Sequence, residues 1–261
     1  MDILVVLTGR RGSAKDSVAD IAINKFGAAG KVALADWFKQ ELSKEFKLPL
    51  VNFYSAEKDA TLSSPIVISR SNLRALMQRL GFLGFNNLHR VSTSRWEGRQ
   101  INSIRELMLW FGHEIVTGFC GDAFHCVVTE MQTLSKLPRR ANHANVIFVT
   151  DARQYIQSKY FMDKYPYVFP VLVTRSGGSA DDHPVEKSVD EFPSNYFFHT
   201  VENDGTLDDL EDKVKELLVA IKDEVTRRSG GTPEVVKQKK KVTKKADEII
   251  PTTRLTALTG E

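Results

Sequence analysis

The segment Thr8-Gly9-Arg10-Arg11-Gly12-Ser13-Ala14-Lys15-Asp16-Ser17 has the residue types needed to wrap a phosphate. It stands between an apolar run, Ile3 to Leu7, and a helical pattern starting near Lys15. Successive backbone N–H groups of such a loop meet the positive end of a helix, and a lysine adds a point charge. Gly9 and Lys15 have the separation of the G-x-x-x-x-G-K-[ST] pattern. Ala14 replaces its second glycine, and Asp16 takes the hydroxyl place, with Ser17 one position later. The plainer alternative is a glycine-bearing turn with an ordinary lysine. On either reading Lys15 is expected to face solvent.

A second group is Val146-Ile-Phe-Val-Thr-Asp151-Ala-Arg153, an apolar run ending in a carboxylate and then a guanidinium. An aspartate at a strand's carboxyl end suits the Mg²⁺ that accompanies nucleotide phosphates, directly or through water. Arg153 would match a phosphate bidentately. The alternative is a helix-initiating Asp beside a solvated Arg.

The elements that must position these groups alternate. Ile3–Leu7 reads as a buried strand, Lys15–Phe26 as a helix, Lys31–Ala35 as a short strand and Asp36–Phe46 as a helix. Residues 47–70 lack periodicity and read as an irregular insertion. Helical patterns return at Asn72–Phe82 and at Ser103–Cys120, where Ile104, Leu107, Met108, Phe111, Ile115 and Phe119 form one stripe. Asn145–Thr150, Tyr167–Thr174 and Phe197–Val201 read as strands, Arg153–Lys164 as a helix, and Leu207–Thr226 as a helix with Thr206 as N-cap. Strands separated by helices predict an α/β fold, a three-layer open parallel sheet with helices on both faces, binding ligands beyond the strands' carboxyl ends. One internal echo exists: Arg74-Ala-Leu-Met-Gln-Arg-Leu-Gly81 is similar to Arg105-Glu-Leu-Met-Leu-Trp-Phe-Gly112.

A chain of 261 residues, 42% of them hydrophobic, can bury a sizeable core, which excludes wholesale disorder. No apolar stretch approaches the roughly 18 residues of a membrane span. Cys120 and Cys126 are expected on one helix and cannot form a disulfide framework, so a reducing cytoplasm fits. The net charge of +3 conceals an asymmetry, with nine Lys/Arg against four Asp/Glu in residues 227–261. The expected organisation is a folded domain over 1–226 and a basic, disordered tail over 227–261, able at most to make weak contacts with nucleic acid.

These residues together resemble the phage-type deoxynucleoside monophosphate kinases, within the P-loop nucleotide kinase group. The resemblance is carried by Gly12-Ser-Ala-Lys15-Asp16-Ser17, Leu34-Ala-Asp-Trp-Phe-Lys39, Ser103-Ile-Arg105-Glu-Leu-Met108 with Gly112, Thr150-Asp151-Ala-Arg153, His183-x-x-Glu186 and Asn203-Asp-Gly205-Thr-Leu207. It implies ATP-dependent phosphorylation of a deoxynucleoside monophosphate with Mg²⁺, in a host cytoplasm if the chain is phage-encoded. Lys15, with Arg11 and the amides of Gly12, Ser13, Ala14, Asp16 and Ser17, would then hold the ATP phosphates, and Asp16, Ser17 and Asp151 would lie near the metal. Asp36, Phe38 and Lys39 would face the acceptor, although Lys39 also reads as a routine solvated helix residue. Arg105 would clamp the acceptor phosphate, with Arg74 as its rival. His113 and His125, near Gly112, read either as base-pocket residues or as ordinary helix histidines. Arg175 would act with Lys15 and Arg153 in catalysis and opens a polar, lid-like stretch over 175–191 whose Asp181 and Asp182 are assigned to solvent. Asn203 and Gly205 stand either against the adenine or in a capped turn. Another phosphorylated metabolite as acceptor, and a non-catalytic nucleotide-binding module, are the rival functions. Oligomeric state, a homodimer or otherwise, is left open.

Overall fold

In the computed structural model, residues 1–82, 94–139, 143–176, 188–193 and 195–230 are described. Ile3, Val5 and Leu7 of strand β1 (Asp2–Thr8) pack on one side of a sheet and Leu4 and Val6 on the other. All five are buried, because helices cover both faces, and this is why the run is apolar without alternation. β1 is the middle strand of a five-stranded parallel sheet. Its neighbours are β5 (Asn145–Thr150), then β2 (Gly30–Ala33), on one side, and β6 (Val168–Thr174), then β7 (His199–Glu202), on the other. Val6 stands opposite Val149, so the loops that leave β1 and β5 emerge side by side.

One face is covered by α1 (Lys15–Phe26) and α8 (Leu207–Arg228), through Val18, Ala22, Leu210, Val214 and Leu217. α6 (Phe124–Gln132) and α7 (Tyr155–Lys164) cover the other through Cys126 and Phe161. A separate apolar cluster joins α2 (Asp36–Phe46), α3 (Arg70–Phe82) and α4 (Ile104–Leu109), with Trp37, Phe38, Leu76, Leu107, Trp110 and Phe111 among its members. Thr206 caps α8: its Oγ1 accepts from the Asp209 N–H at 3.2 Å, and its own N–H donates to Asp209 Oδ2 at 2.7 Å. Among the described residues no helix is long and apolar enough to cross a membrane.

Several expectations are corrected. The helix over 103–120 is α-helical only at its ends. Trp110–Thr117 forms a π-helix, followed by α5 (Gly118–Cys120), and Ser103 stands before the first turn as N-cap. Cys120 and Cys126 lie on different helices because Gly121, at φ 87°, breaks the chain direction between them. Both are free thiols that burial pushes up to about 12. The irregular 47–70 segment contains two 3₁₀ turns, Leu50–Phe53 and Ala56–Asp59, and β3 (Ile66–Val67), which pairs antiparallel with β4 (Gln100–Ile101). α7 starts at Tyr155 rather than Arg153, because Gln157 Oε1 turns back to accept the N–H groups of Arg153 and Gln154 at 2.9 and 3.2 Å. α8 runs past its expected end at Thr226: Arg227 and Arg228 complete it, bonded to Glu224. His183, Glu186, Asp181, Asp182 and the tail beyond 230 lie outside the described residues.

Candidate active site

The loop between β1 and α1 is shaped by close approach. A Cβ on Gly9 would lie 2.2 Å from the Val173 carbonyl oxygen of β6, so only glycine lets the chain pass there. Ser13 is buried beneath the loop, and its carbonyl accepts from Asn203 Nδ2 at 3.4 Å. Ala14, where the common loop has glycine, is left-handed at φ 74°, ψ 31°. That conformation costs a non-glycine residue about 1–2 kcal/mol, against about 0.4–1 kcal/mol of extra chain entropy for glycine. Ala14→Gly is therefore expected to leave the folding free energy equal or raise it by about 1 kcal/mol in urea titration. A loss of stability would show that the loop depends on the methyl group.

Lys15 opens α1 with only 6% of its surface exposed, which corrects the expectation of a solvent-facing lysine. Its Nζ donates to the carbonyls of Gly9 and Arg10 at 2.7 and 2.9 Å and lies 3.4 Å from Ser13 Oγ. The loop curls over the helix start and its inward carbonyls need a donor. Burial pushes the ammonium down to about 8, Arg153 adds to the depression, and Asp151 and Asp16 oppose it. Asp151 leaves β5 in a left-handed conformation, φ 65°, which places its carboxylate beside the loop. Burial acts to raise that carboxyl, but Arg153, Lys39, Lys15 and Lys58 together hold it below the usual carboxylate range.

These groups line one cavity of about 570 Å³. Arg11, Gly12, Ala14, Lys15, Asp16 and Ser17 form its loop side, and Asp151 and Arg153 its sheet side. The opposite wall includes Phe38, Lys39, Arg105, Gly112, His113 and His125. Six cations (Arg11, Lys15, Lys39, Lys58, Arg105, Arg153) face three carboxylates (Asp16, Asp59, Asp151), which makes the cavity a receptacle for anions. Among the described residues no group of three His, Cys, Asp or Glu could hold a metal ion. Asp16 and Asp151, both within electrostatic reach of Lys15, suit instead an ion that keeps its waters and shares phosphate oxygens.

Asp36 is set behind the wall, where it accepts from Tyr54 OH at 2.9 Å and from Lys39 Nζ at 3.3 Å. Lys39 is buried rather than solvated, its ammonium 4.2 Å from the centre of the Tyr54 ring. Gly112 sits in the π-helix against Phe38, where a Cβ would come within 3.2 Å of the ring. Its carbonyl oxygen is 3.1 Å from His125 Nε2, which donates to it. Burial pushes His125 down to about 4, so the ring is neutral at neutral pH.

Arg175, Asn203 and Gly205 do not line this cavity. Arg175 is exposed beyond β6, and Asn203 donates its N–H to Thr174 O at 2.8 Å in the turn before α8. The sequence reading missed Tyr54, Lys58 and Asp59, all from the 47–70 segment. Their one sequence cue is local: Ser55 caps the Ala56–Asp59 turn by accepting the Glu57 N–H at 3.2 Å. Arg74, the rival of Arg105, is exposed on α3 and absent from the cavity wall.

The family model for deoxynucleotide monophosphate kinase matches residues 76–214, a span that contains Arg105, His113, His125, Asp151 and Arg153 and begins after the phosphate loop. No curated protein matches the chain.

Proposed function

The chain belongs to the deoxynucleotide monophosphate kinase family, phosphotransferases acting on deoxynucleotide monophosphates, and we propose that its phosphoryl donor is ATP and its product the diphosphate. The observation that carries this reading is the excess of cations over carboxylates around a single cavity beside a glycine-bearing loop. An acceptor phosphate oxygen forms the new bond to the γ-phosphorus as the bond to the bridging oxygen breaks, and ADP leaves with the charge. The acceptor is already an oxyanion, so in-line positioning and charge stabilisation suffice without a strong general base.

In this reading Lys15 exchanges the carbonyls of Gly9 and Arg10 for the ATP phosphates, and Arg153 neutralises the group in flight. Arg105 holds the acceptor phosphate, while Phe38, Lys39 and the two histidines shape its nucleoside pocket. Asp151, with Asp16 and Ser17, would hold Mg²⁺, which when bound would supply positive charge against the transferring phosphates. Arg175 is assigned to the lid-like stretch, and the kinase domain to residues 1–226.

The test is ADP release measured with ATP and Mg²⁺ across the four deoxynucleoside monophosphates and their ribose counterparts. Acceptor-dependent release with at least one deoxynucleotide is the expected result. Absence of release with all four, or release with another phosphorylated metabolite alone, would sink the assigned reaction.

A further inference from the structure

Asp59 ends the Ala56–Asp59 turn and ties together two arginines from distant parts of the chain. Its Oδ2 accepts from Arg11 Nη2 at 2.7 Å and from Arg105 Nη2 at 3.3 Å, while Oδ1 accepts from Arg105 Nε. Arg11 belongs to the phosphate loop and Arg105 to α4. One carboxylate therefore bridges a cation on the donor side of the cavity and a cation on the acceptor side. Hydrogen bonds from Arg105 hold Asp59 below the usual carboxylate range against the opposing effect of burial. The carboxylate offers the guanidinium forks the same kind of paired oxygens that a phosphate would.

We propose that Asp59 is a built-in surrogate for the acceptor phosphate and acts as a specificity residue, so that acceptor binding is an exchange of one anion for another. The proposal rests on the assignment of Arg105 to the acceptor phosphate. Departure of Asp59 removes the carboxylate that offsets the positive charge of Arg11, Arg105 and Lys58, so a replacing anion is favoured. Lys58 is already depressed by burial and by Arg105, Lys39 and Arg11, with Asp59 opposing that depression. A dianionic phosphate satisfies both forks and repels the departing carboxylate, whereas an unphosphorylated nucleoside supplies no charge and leaves Arg105 engaged with Asp59. The turn itself has no buried side chain, so its displacement opens no core.

The test is calorimetric titration of inorganic phosphate, without ATP, into the wild-type protein, Asp59→Asn and Asp59→Ala. Asparagine keeps the shape and removes the charge, while alanine removes both. Both variants are expected to bind phosphate about fivefold more tightly, and the gain should vanish when Arg105→Ala is added. Weaker, unchanged or undetectable phosphate binding in both variants, or a gain that survives Arg105→Ala, would overturn the proposal. Because no turnover is measured, a failure to find kinase activity would sink the assigned reaction and leave this exchange to be judged separately.

Discussion

Lys15→Met is expected to lower kcat on the order of 10²–10³-fold, while the ligand-free protein melts at the same temperature or higher. The first effect follows from losing the loop's point charge where negative charge moves in the transition state. The second follows from the burial of that charge. In the unfolded chain a lysine keeps its proton up to about pH 10.4, whereas in the folded protein burial brings the value down to about 8. The unfolded state thus binds more protons between those values, so this group's contribution to stability rises with pH across the window and is unfavourable below pH 8. Methionine fills the space of the stem without the charge. Its cost is the loss of the bonds to Gly9 O and Arg10 O, which offsets part of the gain. The same ammonium predicts how ATP affinity depends on pH. Binding of an anion favours the protonated form, so wild-type affinity should be level below about pH 8 and weaken above it, while Lys15→Met stays level throughout. Isothermal titration from pH 6.5 to 9.5 and scanning calorimetry would read both effects, and near-wild-type turnover by the variant would remove Lys15 from the chemistry.

That lysine also shows where sequence reasoning reaches its limit. Strand β1, helix α1 and helix α2 are legible because each carries a local pattern: an apolar run buried on both faces, or apolar residues at helical spacing. The partner loops that create Lys15's burial carry no such pattern, and residue type alone points outward. The π-helix at Trp110–Thr117 is hidden for a related reason. Ile104, Leu107, Phe111 and Ile115 fit an α-helical stripe equally well, and the close packing of Gly112 against Phe38 on another helix leaves no mark in that stripe. Asp59 is the most remote case. Its meaning comes from Arg11 and Arg105, 48 and 46 residues away, and nothing in its own capped turn announces either partner.

Arg105→Ala is expected to raise the acceptor KM about 10- to 100-fold, the range for losing hydrogen bonds to a charged group, and to lower kcat as well, because a guanidinium fork both binds and orients the phosphate. Arg74→Ala should leave both constants unchanged and shift stability by no more than about 0.5 kcal/mol, as an exposed helix position does. The two arginines open octapeptides that share Arg, Leu, Met and a closing Gly at the same positions, so the sequence offers little decision between them beyond Ser103 and proximity to Asp151. The structure separates them through what surrounds each one. Ser103 Oγ accepts the Glu106 N–H at 3.0 Å and starts α4, which sets Arg105 in the first turn of that helix on the cavity wall. The glycine of the same copy, Gly112, reaches the cavity two turns later against Phe38, whereas Arg74 lies exposed on α3. Steady-state kinetics with the deoxynucleotide varied at saturating ATP would distinguish the copies. A KM effect from Arg74→Ala with none from Arg105→Ala would transfer the acceptor phosphate to α3 and remove the basis for pairing Asp59 with it.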